Sequence, residues 1–257
     1  MNLHGVILEV ATDSVEGAIV AEAGGAGRVE LCSGLFEGGT TPSLGAIEHA
    51  VQRTTIPVFV LVRPRGGDFC YTPIELDVLR RDIEHARTLG ARGIVLGCLR
   101  PEGTIDAAAT RDLIARARPL PVTFHRAFDM TRDAFEALEA LVDLGVERVL
   151  TSGQEKTALE GLDRIRELVE RAAGRIGVVP AGGVTELNAA RIVRASGVVE
   201  VHASLRSLVE SPMQHRNGRA FLGGELRPDE YARGATDGKR VRALLASLGN
   251  AGASAAP

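Results

Sequence analysis

The chain has 257 residues, a formal net charge of -3, and a hydrophobic fraction of 45%. This composition is typical of a soluble protein with a sizeable core, and the charge argues against non-specific nucleic-acid binding. No apolar run approaches the ~20 residues that span a bilayer, and three cysteines are too few for a disulfide framework. We therefore expect a cytoplasmic protein that binds neither nucleic acid nor membrane.

Eight short apolar runs alternate with amphipathic segments along the chain. The runs begin at Val6, Arg28, Pro57, Gly93, Pro121, Arg148, Arg175 and Val198. Segments between them, such as PIELDVLRRDIEHARTLG, carry apolar residues at helical spacing. Crossovers of this length require parallel strands with the helices outside. The alternation predicts an α/β fold, a single (β/α)8 TIM barrel that covers residues 1–249.

An open, doubly wound sheet is the rival architecture. Such a sheet usually has a glycine-rich fingerprint at its first strand-to-helix turn, whereas this turn reads ATDSVEG. After the eighth strand, LRSLVESPMQHRNGRAFLGG predicts a long loop and RPDEYARGATDGKRVRALLASLG predicts a closing helix. Residues 250–257 are predicted to form a disordered tail.

Side-chain alternation sorts each strand into an outer face under the helices and an inner face. Apolar residues such as Val199 and Val201 are expected to face the helices. The predicted inward set is Glu9, Glu30, Cys32, Arg63, Thr123, His125, Glu200, His202 and Ser204. Buried charge is costly unless it is paired or bound to a ligand. Because active sites in these barrels lie at the C-terminal ends of the strands, the set predicts a site there, with a structural ion-pair network as the alternative.

Four of these side chains are candidates for acid–base catalysis. They are Glu9, Glu30, His125 and His202. An imidazole near carboxylates exchanges its proton near neutral pH. We therefore assign the acid–base role to His125, with Glu9 or Glu30 as its partner or as a second acid–base group.

Arginines and bare backbone amides at the strand ends predict an anion site. The candidate residues are Arg63, Arg65, Arg126, Gly182, Gly183, Ser204 and Arg206. Many barrels bind phosphate in the loops after strands seven and eight, and arginine clamps carboxylate or phosphate. A glycine pair alone indicates only a tight turn. The combination favours an enzyme that acts on a small phosphate- or carboxylate-bearing metabolite.

The cysteines predict a different chemistry, since reduced copper is soft and prefers thiolate ligands. Cys32, at the end of strand two, and Cys70, in the loop after strand three, are the candidate metal ligands. Cys98 is interpreted as a small buried hydrophobe. A harder metal such as zinc would instead use His125 and His202 with a glutamate. The residues alone leave these alternatives open.

Several long segments resemble the CutC family, the so-called copper homeostasis proteins. The segments are RVELCSGLFEGGTTPS, RPRGGDFCY, PVTFHRAFDM, RVLTSG, and SPM followed by RN. The resemblance runs from about Leu8 to the closing helix. It implies a TIM barrel, a cytoplasmic location, a homo-oligomer of two or four copies and binding of copper(I). It implies no established reaction.

The family's copper proposal depends on cysteines at the ends of strands one and two. Carried over to this sequence, the second is Cys32, and the first falls where this chain has Ala11. Cys70 matches a cysteine that some members have. The resemblance therefore implies a copper(I) site built on Cys32, with Cys70 or a histidine in place of the missing thiol.

Overall fold

The structure is a computed structural model that describes residues 5–220 and 230–253. Eight strands of these ranges form one parallel sheet. They are β1 (Ile7–Thr12), β2 (Arg28–Leu31), β3 (Val58–Leu61), β4 (Gly93–Leu96), β5 (Val122–Phe124), β6 (Arg148–Thr151), β7 (Gly177–Pro180) and β8 (Glu200–Ala203). Seven helices alternate with them: α1 (Val15–Ala23), α2 (Leu44–Arg53), α3 (Pro73–Thr88), α4 (Ala107–Ala117), α5 (Ala134–Asp143), α6 (Leu162–Ala172) and α7 (Ala189–Ser196).

The strands follow the order β7-β6-β5-β4-β3-β2-β1-β8, and contact between β7 and β8 completes the ring. The predicted TIM barrel is confirmed. Register places Glu9 of β1 beside Arg28 of β2 on one side and His202 of β8 on the other. Residues in register on neighbouring strands point the same way, so three charged or titratable side chains meet inside the barrel.

Two apolar layers hold the barrel together. The outer layer joins strands to helices and includes Val58, Val60 and Val62 of the third strand region, as the alternation predicts. The inner layer consists of Cys32, Phe59, Leu61, Val95, Leu150, Val179 and Ala181. Val199 is a correction: its side chain is 65% exposed, because β8 begins only at Glu200.

A helix cap shapes the loop that follows β3. Thr72 accepts a hydrogen bond from the Glu75 amide, and the Glu75 carboxylate accepts one from the Thr72 amide, which is a capping box. Arg65 Nε donates to Glu75 Oε1 at 2.5 Å, so the start of α3 also fixes this loop. None of the helices in the described ranges combines the length and apolarity needed to cross a bilayer.

The chain after β8 differs from its prediction. Part of the expected loop and part of the expected helix pair as antiparallel strands β9 (Arg206–Glu210) and β10 (Ala232–Thr236). The closing helix α8 (Gly238–Ala253) therefore starts late, where Asp237 Oδ1 accepts from the Lys239 amide. It also extends past the predicted tail boundary at residue 249. Residues 221–229 and 254–257, which include parts of the predicted loop, closing helix and tail, lie outside the described residues.

Candidate functional site

An ion-pair network closes the N-terminal end of the barrel. Arg28, Arg148 and Glu200 are the first residues of their strands. Arg28 Nη2 donates to Glu200 Oε2 at 2.5 Å, Arg148 Nε donates to the same oxygen at 3.2 Å, and Arg28 also pairs with Glu9. Both guanidinium groups lie over the ring of Phe59. Glu200, predicted at the mouth, therefore belongs to a structural plug at the opposite end.

Above this plug lies a line of three titratable groups from three strands. Glu9 Oε1 is 2.7 Å from Nδ1 of His202, and the same nitrogen is 3.8 Å from Glu30 Oε2. Both carboxyl groups are buried, and His202 is largely so. An ionised carboxylate only accepts hydrogen bonds, so the Nδ1–H of His202 donates to Glu9. The imidazole therefore lies between the carboxylate held by Arg28 and Glu30, and its hydrogen bond goes to Glu9.

The two carboxyl groups have opposite pKa shifts. Burial raises the pKa of Glu30 to about 7, and the negative charge of Glu9 adds to the rise against His202 and Arg28. Burial acts in the same direction on Glu9, but the hydrogen bond from His202 and the charge of Arg28 lower its pKa to about 2. Burial opposes the charged imidazole of His202, yet the charge of Glu30 and the hydrogen bond to Glu9 raise its pKa overall. Glu9 thus stays ionised, while Glu30 exchanges a proton near neutral pH.

His125 is held as a neutral imidazole. Its Nδ1 accepts a hydrogen bond from the Ala127 amide at 3.2 Å, so the proton of the ring lies on Nε2. Burial, followed by the positive charge of Arg63, lowers the pKa of His125 to about 3. Its Nε2 is buried without a hydrogen-bond partner in the described ranges. The residue is therefore a hydrogen-bond donor at neutral pH, and its titration differs from the one predicted.

Two glycines leave space for side chains of the site. A Cβ atom on Gly97 would lie 2.5 Å from Cε1 and 2.6 Å from Nδ1 of His125. A Cβ atom on Gly182 would lie 2.9 Å from Nη1 of Arg126, and the φ of +91° also favours glycine there. Gly182 was predicted to bind an anion through its amide, whereas its visible role is to admit the guanidinium. Gly97 was not predicted.

Arg63 is fixed by backbone carbonyl groups rather than by a carboxylate. Its Nη1 donates to the carbonyls of Glu37 at 3.0 Å and Gly39 at 2.8 Å, and its Nη2 donates to that of Gly67 at 2.9 Å. The guanidinium carbon is 4.9 Å from the centroid of the Phe69 ring. Within the part of the chain that the structure describes, Nε has no hydrogen-bond partner. The guanidinium of Arg63 can therefore donate a hydrogen bond from Nε to a further group, and the positive charge of Arg63 can attract an anion.

Arg126 is positioned by Asp129, a residue that the sequence reasoning missed. Arg126 Nε donates to Asp129 Oδ2 at 2.7 Å, and Nη2 donates to Ser152 Oγ at 2.9 Å. Asp129 also accepts from Thr151 Oγ1 at 2.6 Å and from the Gln154 amide at 3.2 Å. It thus ties the loop after β6 to the end of β5. The only sequence signal was an aspartate shortly after the predicted fifth strand.

These groups meet at a cavity of about 320 Å³ at the C-terminal ends of the strands. Its polar wall includes Glu30, Arg63, His125, Arg126, Asp129 and His202. Its apolar wall includes Ala11, Leu35, Leu61, Phe69, Met130 and Leu150. A cavity of this size accommodates a small metabolite. Glu9 does not line the cavity, but it contacts His202, which does.

Five predicted anion-binding residues lie outside this wall. They are Arg65, Gly182, Gly183, Ser204 and Arg206. Arg65 is occupied by Glu75, as described above, and also contacts the Asp68 carboxylate at 3.1 Å. Arg206 Nη2 lies 3.4 Å from the Asp13 carboxylate. Ser204 follows β8 and is exposed. The cationic side of the cavity is therefore formed by two arginines instead of four.

The two buried cysteines lie in apolar surroundings. Cys32 belongs to the inner layer, and its Sγ donates to the Thr12 carbonyl at 3.2 Å. Burial, with the charges of Glu30 and Asp13, raises the pKa of the Cys32 thiol well above its usual value. Burial likewise raises the pKa of Cys98 to about 12. Both groups therefore remain thiols at neutral pH unless a metal replaces the proton.

Cys70 has different neighbours. It is half-buried in the loop after β3, where burial and the charge of Asp68 raise the pKa of its thiol. None of the charged groups that shift the pKa of Cys70 also shifts that of Cys32. Cys32 and Cys70 therefore lie beside different charged groups. Ala11, where the resemblance implies a cysteine, lines the cavity.

Across residues 5–220 and 230–253, one group of three metal-capable donors lies within 4.8 Å: Glu9, Glu30 and His202. The group contains no cysteine, and its oxygen and nitrogen donors suit harder ions than copper(I). Glu9 is already bonded to His202 and to Arg28, and the positive charge of Arg28 opposes a cation. The arrangement fits proton transfer better than ion binding.

Comparison with known proteins adds a family. The model of the CutC family matches residues 6–207. A mouse protein named copper homeostasis protein cutC homolog is 52% identical and covers 95% of this chain and 89% of its own length. The human homolog is 51% identical, with 96% and 90% covered. A Bacteroides fragilis protein named family protein CutC is 48% identical, with 94% and 97% covered.

Solved structures agree with the fold. The putative copper homeostasis protein CutC from Streptococcus agalactiae has a TM-score of 0.74 and 35% identity, and the match covers 77% of this chain and 98% of that one. N-(5'-phosphoribosyl)anthranilate isomerase from Pyrococcus furiosus has a TM-score of 0.58 at 14% identity, covering 95% and 99%. The second similarity supports the barrel fold alone.

Proposed function

This chain belongs to the CutC family of copper homeostasis proteins. For this family member, we propose that the C-terminal mouth of the barrel binds a small anionic metabolite and acts on it by acid–base catalysis. Three buried atoms without hydrogen-bond partners in the described ranges carry the proposal: Glu30 Oε2, Arg63 Nε and His125 Nε2. Each unsatisfied buried group costs about 1–3 kcal/mol. All three residues line one cavity, so a single polar ligand would satisfy them together.

The roles of the residues follow from their charges. Arg63 and Arg126 provide the positive potential for a carboxylate or phosphate group. His125 orients the ligand through a neutral N–H donor, and Glu30 is the acid–base group because its pKa is about 7. Glu9 acts as a positioning residue through His202. This proposal moves the acid–base role from His125 to Glu30.

We expect phosphorylated sugars or organic acids to raise the melting temperature of the wild-type protein. A ligand at 100 times its Kd stabilises the fold by about 2.7 kcal/mol. Arg63→Met and His125→Ala should lose this stabilisation, because they remove the charge and the donor at the cavity. The measurement is a thermal-shift screen of both classes of anion against wild type and the two variants.

Arg92→Met is the matched control for this screen. Arg92 is exposed just before β4, at the opposite end of the barrel from the cavity, so its variant should keep the ligand-induced shift. If no anion stabilises the wild type, the pocket is structural and the enzyme proposal is withdrawn. Equal loss of the shift in Arg92→Met and Arg63→Met would also contradict the assignment.

The family supports copper(I) binding as a second candidate function. Cys32 is the favoured ligand because it lies inside the barrel at the position of a family cysteine, with Cys70 as the proposed companion. A cytoplasmic location and a homo-oligomer of two or four copies are further proposals that family membership supports. The cavity contains carboxyl, imidazole and guanidinium groups that a thiol-based copper site does not need.

We expect anaerobic titration with copper(I) to give a lower stoichiometry or affinity for Cys32→Ser than for wild type. Copper(I) prefers a thiolate to a hydroxyl ligand, so the serine variant loses the proposed site. Cys98→Ser is the control, since it also changes one buried thiol. Equal binding by wild type and Cys32→Ser would remove Cys32 from the account of copper binding.

A further inference from the structure

Resting on the proposed function, we propose that the ligand of the cavity carries a carbonyl group and that the site transfers a proton at the carbon next to it. The substrate class is a small oxo acid or a phosphorylated keto or aldehyde sugar. The two arginines bind the anionic group, whereas Oε2 of Glu30 and Nε2 of His125, which have no hydrogen-bond partner in the described ranges, act on the carbonyl group and its neighbouring carbon.

The imidazole of His125 is suited to polarise a carbonyl oxygen. Its Nδ1 is occupied by the Ala127 amide, so Nε2 presents a proton that has no other acceptor in the described ranges. The ring is held against Phe69 and confined by Gly97. A buried neutral donor stabilises an oxyanion as charge develops on it. The Ala127 amide occupies Nδ1, so the proton of the neutral ring stays on Nε2 at neutral pH.

The carboxyl of Glu30 is suited to take and return a proton. The charged or titratable groups that act on it come from three strands: Glu9 from β1, Arg28 from β2 and His202 from β8. Cys32, the residue that follows β2, is a further titratable neighbour. Glu30 Oε2 is buried at the cavity and has no hydrogen-bond partner in the described ranges, so this oxygen is free to take a proton from a bound ligand.

The composition of the wall argues against acyl-enzyme and Schiff-base catalysis. No serine, threonine, cysteine or lysine occurs among the described residues that line the cavity. Acyl-enzyme and Schiff-base chemistry both require one of these nucleophiles. Leu61, Phe69 and Leu150 form an apolar side of the same cavity, which limits water around a carbanion. Proton transfer is the reaction class that uses the groups present.

The step balances without a co-reactant. The Glu30 carboxylate takes the proton from the carbon next to the carbonyl, and the C–H electron pair forms a carbon–carbon double bond. The π electrons of the carbonyl move to its oxygen, which accepts the hydrogen bond from His125 Nε2. Glu30 then returns the proton to carbon. For a hydroxy ketone, Glu30 can instead return the proton to the other carbon of the enediol while the hydroxyl proton moves to the former carbonyl oxygen, and this gives the isomer.

The test is deuterium incorporation in D2O, followed by proton NMR. The probes are 2-oxobutyrate, 2-oxoglutarate, dihydroxyacetone phosphate and fructose 6-phosphate. We expect the wild type to exchange the hydrogen next to the carbonyl of at least one probe faster than buffer does. Glu30→Gln should lower that rate at least about 100-fold, since it removes the general base. The same variant should retain the thermal shift that the probe produces, because both arginines remain.

Glu48→Gln, an exposed residue of α2, is the matched control and should exchange at the wild-type rate. Anion binding without exchange of any probe would overturn this inference and leave the proposed anion site standing. Failure of every anion to bind would overturn both. Exchange at the wild-type rate in Glu30→Gln would overturn the assignment of the base.

Discussion

Arg28→Met is expected to lower the free energy of unfolding by about 3–5 kcal/mol, the usual cost of breaking a buried ion pair from one side. Arg28 bonds to both Glu9 and Glu200, and the side chains of Arg28 and Glu9 are only 5% and 0% exposed. Methionine fills similar space but leaves Glu9 without its cation. Urea unfolding at pH 7 of wild type and variant measures the difference.

Arg92→Met is the matched control, because Arg92 lies just before β4 at the same end of the barrel and is exposed. We expect a change within about 0.5 kcal/mol. Adding Glu9→Gln to Arg28→Met should recover part of the lost free energy, since it removes one unpaired carboxylate. If Arg28→Met is as stable as the wild type, water must reach Glu9 and Glu200. The ion-pair network would then not be needed for stability.

The barrel and much of its interior could be predicted from alternation alone. Leu8 and Val10 pack outward, so Glu9 must face inward, and the same reasoning holds for Glu30 and His202. Alternation assigns a face but no height along the barrel axis. Glu200 was therefore predicted at the mouth, although it is the first residue of β8 and lies in the plug. Its partner Arg28 shares a face with Glu30 but was not predicted to face inward, because it is the first residue of its strand.

The chemistry of the site depended on contacts that no sequence pattern carries. His125 was predicted to exchange protons near neutral pH, yet burial and the nearby charge of Arg63 lower its pKa and keep the ring neutral. The space beside Gly97 arises only when β4 and β5 pair. Asp129 collects donors from a loop that is separated from it in the chain. Such placements follow from the fold as a whole.

The effect of pH on folding stability provides a further check on Glu30. Burial raises its pKa to about 7 in the folded protein, from about 4.5 in the unfolded chain. Below pH 4.5 both states hold the proton, so Glu30 contributes no difference. As pH rises from 4.5 to 7, the unfolded chain loses its proton first and the folded state loses stability. Above pH 7 the loss is complete and amounts to at most about 3 kcal/mol.

Glu30→Gln removes this loss, so we expect its stability relative to wild type to rise between pH 5 and pH 8 by up to about 3 kcal/mol. Urea unfolding of both proteins at the two pH values measures the change, and Glu48→Gln should show none. A difference between Glu30→Gln and wild type that stays constant from pH 5 to pH 8 would mean that Glu30 titrates in the fold as it does in the unfolded chain. The pKa of Glu30 would then not be raised by burial, and the assignment of Glu30 as the acid–base group near neutral pH would lose this support.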